Sequence, residues 1–205
     1  EDRLNQSVEG VEFELATSVR KLAFSGNKII GYITGQGELE TQQVTDLLGS
    51  LQEYYRVARG ELDQIPSLQG LDLIVVAKPT SEYSELDKFK IDQFIMNGGK
   101  AVFFVDALNA NMDSVGAGGM FAVPYNLNLE DLLFRYGVRL NPTIIMDLNS
   151  GFIPMVTGYM GDRPQTEMIN WRFYPLLNTF SKHPITRNLD AVYSRFIGTI
   201  DTVKA

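Results

Sequence analysis

Cysteine is absent from this chain of 205 residues. That excludes thiol nucleophiles, disulfides and cysteine-held metals. Histidine occurs once, at His183, and tryptophan once, at Trp171. A histidine that works as a base or a metal ligand needs an orienting partner. His183 is followed by Pro184, and the pair reads more readily as a packed or hydrogen-bonded turn. No basic run exists either: 18 Lys and Arg are interspersed among 25 Asp and Glu, for a net charge of −7. Such a surface does not neutralise a phosphate backbone, so nucleic acid is not an expected partner. No apolar run approaches the ~20 residues of a membrane-spanning helix, and no signal-peptide pattern is present. The chain opens at Glu1 rather than Met, as an excised piece of a longer protein would. Gly98-Gly99-Lys100 precedes a strand pattern, whereas a phosphate loop precedes a helix. No G-x-S-x-G elbow appears, so a hydrolase of that type has no nucleophile.

What is present is organised around Lys28 to Leu39. Ile29, Ile30, Tyr32 and Ile33 form the nearly continuous apolar run of a strand covered on both faces. Gly35 and Gly37 let the chain turn sharply at the strand's carboxyl end. Glu38 and Glu40 follow, near the expected start of a helix whose positive end favours carboxylates. In an open parallel sheet, ligands sit in the mouth above such strand ends. Gly35-x-Gly37 opens like a dinucleotide fingerprint, but Glu40 holds the third glycine position and the acids would repel pyrophosphate. No cofactor is expected there.

Ahead of that stretch, Val11, Leu15, Val19 and Leu22 recur at helical spacing, and Phe24-Ser-Gly-Asn27 ends the helix. Behind it, Val44, Leu47, Leu48 and Leu51 mark one face of a second helix. Residues 55–59 read as an edge strand with alternating charge, and 71–77 as a buried strand ended by Lys78 and Pro79. Ser84-Glu-Leu-Asp87 has capping-box spacing. The helix it opens is expected to turn Leu86, Phe89, Phe94 and Ile95 inward and to close at Asn97-Gly98-Gly99. Strand 100–106, a helix through Leu129, Leu132, Leu133 and Tyr136, and strand 142–147 complete the alternation. The expected fold is α/β, with a doubly wound, mainly parallel sheet of order 2-1-3-4-5. Beyond Asp147 the pattern becomes strand-like at 152–156, 167–173 and 192–200, with a hairpin connection between Gly158 and Pro164. The division expected is a helical segment at 1–26, an α/β core at 27–147, and an antiparallel extension at 148–205 packed on that core as one domain.

The chemistry is sparse. Gly35, Gln36, Gly37, Glu38, Lys78 and Asp106 are the candidate pocket at the strand-end mouth. Asp106 and Asp147 both follow strand patterns and could aim at one cation, although each also suits a turn cap. No metal site is assigned. Trp171-Arg-Phe-Tyr174 offers a stacking platform for carbohydrate, but aromatics within a strand more often form core. Residues 107–125 lack a period, and loops of that length tend to be functional. Met120 and Phe121, hinged by Gly118 and Gly119, are either a packed lid or a docking surface for a partner.

The succession Glu12 to Leu22, Thr34-Gly-Gln-Gly-Glu-Leu39, Asp92 to Val105 with its Gly-Gly-Lys, and Asn141 to Asp147 resembles the GldG-like, gliding-motility-associated auxiliary proteins of ABC transport systems. His183-Pro-Ile-Thr-Arg-Asn-Leu189 is similar to that family's recurrent His-Pro-Ile element. The family's first turn usually reads Gly-His-Gly-Glu, and Gln36 stands here in place of the histidine. The resemblance spans nearly the whole chain. It implies a flavodoxin-like fold akin to class I glutamine amidotransferases and to a domain of an intraflagellar-transport protein. It also implies a periplasmic, extracytoplasmic region held to the bacterial inner membrane by transmembrane segments outside this sequence, with an ABC permease and its ATPase as partners. The amidotransferase nucleophile is a cysteine, so that activity does not carry over. The reading is a non-catalytic accessory subunit that binds protein or ligand. A hydrolase of carbohydrate or peptidoglycan on the same scaffold, and a solute-binding module, are the alternatives.

Overall fold

The computed structural model describes residues 11, 15–19, 28–112, 115–116, 119–183, 185–186 and 189–204. By its contacts the chain divides into two compact units, residues 1–105 and 106–205.

The first unit is built on a parallel sheet of order β2-β1-β3-β4, from β1 (Ile29–Thr34), β2 (Arg56–Glu61), β3 (Leu73–Ala77) and β4 (Lys100–Phe104). In register, Ile30 faces Val57 on one side and Leu73 on the other. Val75 faces Val102 across the β3–β4 pair. The apolar run of β1 is buried from Ile30 to Ile33, as a central strand requires. Alternation splits the core in two. Ile30, Tyr32, Val75 and Ala77 pack on one side against Val44 and Leu48, which come with helix α1 (Thr45–Gln52). Ile33, Ile74 and Val76 point the other way and are almost fully buried. The β1-to-β2 and β3-to-β4 connections leave the β1–β3 pair in opposite directions, so right-handed crossovers put their helices on opposite faces. The order therefore reverses between β1 and β3.

Helix α2 (Glu85–Met96) is capped as its sequence indicates. The Ser84 hydroxyl accepts from Asp87 N–H at 3.2 Å and donates to the Asp87 carboxylate at 2.7 Å. At the other end Gly98, with φ of 91°, lets the Gly98 and Gly99 N–H groups reach back to Ile95 and Phe94 carbonyls. The inward face differs from expectation. Leu86 and Phe89 are exposed, while Asp87, Lys90, Ile91 and Phe94 are buried. Two of the inward positions carry opposite charges, and Lys90 Nζ bonds Leu62 O at 2.6 Å with Asp87 at 3.5 Å. That pairing conceals the true stripe from an apolar count. The helical residues 11 and 15–19 leave Val11, Leu15 and Val19 exposed. Leu22 and the 24–27 stop lie outside the described residues.

The second unit holds only antiparallel pairs among its described residues. Residues 107–125 are not an aperiodic loop: β5 (Leu108–Asn109) pairs with β8 (Val123–Pro124), and β6 (Val115–Gly116) with β7 (Gly119–Met120). Two-residue strands are too short to leave a period. Helix α3 (Glu130–Arg135) buries Leu132 and Leu133 and ends at Gly137, with φ of 83°. The expected fifth parallel strand at 142–147 does not form. Its neighbour β9 (Val138–Asn141) instead pairs antiparallel with β13 (Thr199–Thr202). Pro142 follows, and the next backbone groups serve scattered partners: Ile145 N–H bonds Ile197 O and Asp147 N–H bonds Arg172 O. A segment so engaged has no ladder of its own, and the parallel sheet stops at four strands.

The strands expected at 152–156 and 167–173 are present and longer than their patterns, whereas the one expected at 192–200 is broken, with only Val192–Tyr193 and the start of β13 in strands. β10 (Ser150–Met160) and β11 (Arg163–Leu177) form a hairpin that turns at Gly161, φ 64°. β12 (Val192–Tyr193) pairs with the end of β11.

Candidate functional site

In the first unit, the loop after β1 and the loop after β3 meet above the β1–β3 pair. Gly35 and Gly37 carry φ of 119° and 75°, and Lys78, at the end of β3, 55°. Those left-handed angles let both chains turn within two residues of their strands. The Gln36 carbonyl then accepts from both Thr80 and Ser81 N–H groups at 2.9 Å, and Thr80 Oγ1 donates to Gly37 O at 3.1 Å. Leu39 N–H bonds Ala77 O at 3.0 Å, and the Tyr32 hydroxyl donates to Leu39 O at 2.6 Å.

Glu38 is the centre of this knot. It does not sit at a helix terminus as expected, because α1 begins only at Thr45. Its side chain is buried, with Oε2 accepting from Gln36 N–H at 2.8 Å and Oε1 from the Tyr83 hydroxyl at 2.6 Å. Burial first, then the charge and hydrogen bond of Glu38, hold the Tyr83 hydroxyl far above the ordinary phenol range. Tyr32 is raised also, by burial and by Glu38, with Arg59 opposing. The Arg59 guanidinium stands 5.8 Å from the Tyr32 ring centroid, within cation–π range. Gln36 is 6% exposed, and its Oε1 has no hydrogen-bond partner. Beside the loop opens a cavity of about 410 Å³, lined in part by Thr34, Gly35, Gly37, Glu40 and Arg59.

The structure therefore brings together Gly35, Gln36, Gly37 and Glu38. Lys78 lies at the adjoining strand end with its side chain exposed, its N–H bonded to Phe104 O at 2.7 Å. Asp106 belongs to the second unit. Asp147, in that unit, follows no strand, and its Oδ1 accepts from Asn149 N–H at 2.9 Å as a turn cap does. Asp147 thus serves a turn rather than a strand-end mouth. Among the described residues, no three acids or histidines cluster as metal ligands. Tyr83 escaped sequence reasoning: it lies 45 residues from Glu38 in a stretch read only for its helix cap.

His183 makes a turn. Its Nδ1 accepts from Ile185 N–H at 3.2 Å, and its carbonyl from Thr186 N–H at 3.0 Å. Trp171 is half-buried, 5.6 Å from the Phe173 ring, and Phe173 and Tyr174 both meet Phe196. These rings pack on one another, with Tyr174 buried and the other three half-buried. Phe121 is 78% exposed, whereas the Met120 side chain and Gly118 lie outside the described residues.

The chain belongs to the family described as ABC-type uncharacterized transport system, whose model matches residues 27–205. Membership makes it an auxiliary component of an ABC-type transport system. No curated protein matches it. Among solved structures it is similar to the mmIFT52 N-terminal domain, with a TM-score of 0.60 and 16% identity over 86% of this chain and 69% of that one. At that identity the likeness concerns the fold alone. Among the described residues, no helix is long and apolar enough to cross a membrane.

Proposed function

We propose that this chain is a non-catalytic accessory domain of the GldG-like kind, working on the periplasmic side of its transport system by binding protein or ligand. The observation that carries the reading is the state of Glu38. It is the one buried acid at the strand-end mouth, and both of its oxygens are committed to internal donors. A general acid or base must exchange its proton with a substrate; this carboxylate instead ties two loops together. His183, the single histidine, likewise spends Nδ1 on its own turn. Chemistry is thus left to other subunits, an ABC permease and its ATPase, and this domain contributes surface and shape.

A solute-binding role is favoured by one feature, the cavity of about 410 Å³ beside the first turn, lined in part by Gly35, Gly37, Glu40 and Arg59. That volume suits a small ligand, and Glu40 and Arg59 offer it charged contacts. The test of the non-catalytic reading is a turnover screen of the purified protein against ester, amide and glycoside substrates, including peptidoglycan fragments. No turnover above buffer is expected. Hydrolysis that disappears in His183→Ala while the fold persists would overturn it.

A further inference from the structure

Two apolar surfaces of the first unit are exposed among the described residues, and they match. The helical residues 11 and 15–19 present Val11, Leu15 and Val19 at i, i+4 and i+8, so the three lie along one side of the helix. They are 49%, 61% and 63% exposed. On the sheet, Val102 and Phe104 of β4 are 37% and 54% exposed. They pair with Val75 and Ala77, which face α1, so the patch lies on the α1 side of the sheet. α1 covers that side over β1 and β3, and Val102 and Phe104 of β4 remain partly exposed.

We propose that the N-terminal helix docks through Val11, Leu15 and Val19 onto the Val102–Phe104 patch, completing the α1 layer over β4. The tether allows it. Residues 20–28 can span up to roughly 30 Å extended, and β4 stands two strand spacings, about 10 Å, from β1. Charge agrees as well. Lys100 shares the patch's side of β4 by alternation, and residues 1–26 carry a net negative charge. A membrane surface fits the helix less well. Interfacial helices carry Lys and Arg on their polar face, while residues 1–26 hold five acids and three bases. The family match begins at residue 27, so the helix lies outside the matched region.

The absence of cysteine makes the test direct. Leu15→Cys and Val19→Cys are each combined with Val102→Cys or Phe104→Cys in the full chain, oxidised, and analysed on non-reducing gels with peptide mapping. At least one pair should close a disulfide within a single chain, which needs Cα atoms within about 7 Å. A covalent dimer would assign the stripe to a second copy and overturn the proposal. Free thiols in every pair would overturn it too. As a check that does not depend on register, Leu15→Asp and Phe104→Asp should each lower the melting temperature, and the double variant should fall no further than the worse single. Unchanged melting in both single variants contradicts docking.

Discussion

The Tyr83 hydroxyl donates to Glu38 Oε1 at 2.6 Å across 45 residues of sequence, and both side chains are buried. Glu38 stands in the loop after β1, and Tyr83 just ahead of α2. The bond thus joins the two loops that form the mouth of the sheet. It stabilises the fold at the point where such folds usually hold ligands.

Removing the donor exposes that role. Tyr83→Phe keeps the ring but leaves a buried carboxylate oxygen unpaired, which costs about 1–3 kcal/mol. Urea denaturation should show the lower midpoint with an unchanged slope. A variant as stable as the parent would mean that solvent reaches Glu38 and that the knot is looser than described.

Alkaline pH gives a second readout. The ordinary phenol value is 10.0, and burial raises Tyr83 above it in the folded state. Above pH 10 the unfolded chain loses this proton while the folded chain keeps it, so stability is intact below pH 10 and declines as pH rises beyond it. Tyr83→Phe should flatten that decline. Because Tyr32 and Tyr174 are also raised by burial, part of it should remain.

The glycines of the first turn are not equivalent. Both have positive φ, but a Cβ on Gly37 would overlap Thr80 Oγ1, whereas one on Gly35 meets Glu61 Cβ at an ordinary 3.7 Å. Gly37→Ala must therefore bear backbone strain and displace Thr80 from its bond to Gly37 O. Melting should fall more for Gly37→Ala, at roughly 2–3 kcal/mol, than for Gly35→Ala, at roughly 1 kcal/mol. Equal shifts would remove the steric part of the argument.

Phe121 separates lid from docking surface. A side chain 78% exposed contributes little to its own fold, so Phe121→Ser should change stability by less than about 0.5 kcal/mol. Loss of a pull-down partner with melting unchanged supports the docking role. A drop in melting temperature would return the residue to the lid reading.

The legible parts of the fold are those whose causes are local. The apolar run of β1, the Ser84–Asp87 cap and the Gly98 terminus each rest on residues a few positions apart, and each stands where the sequence sets it. The illegible parts depend on distant partners. Asp87 and Lys90 are buried because they pair with each other and with Leu62 O, which an apolar count reads as an outward face. Residues 142–147 look like a buried strand, yet their N–H groups serve Ile197 and Arg172. At the site, Gly35, Gln36, Gly37 and Glu38 were legible as a strand-end turn. What Glu38 does there depends on Tyr83, and no spacing announces that bond.

The central claim is tested most directly by affinity purification of the full-length protein from native membranes in mild detergent. An accessory subunit should bring an ABC permease and its ATPase with it in fixed ratio, and the purified protein should hydrolyse nothing by itself. Recovery of the protein alone, with a turnover of its own, would contradict the account.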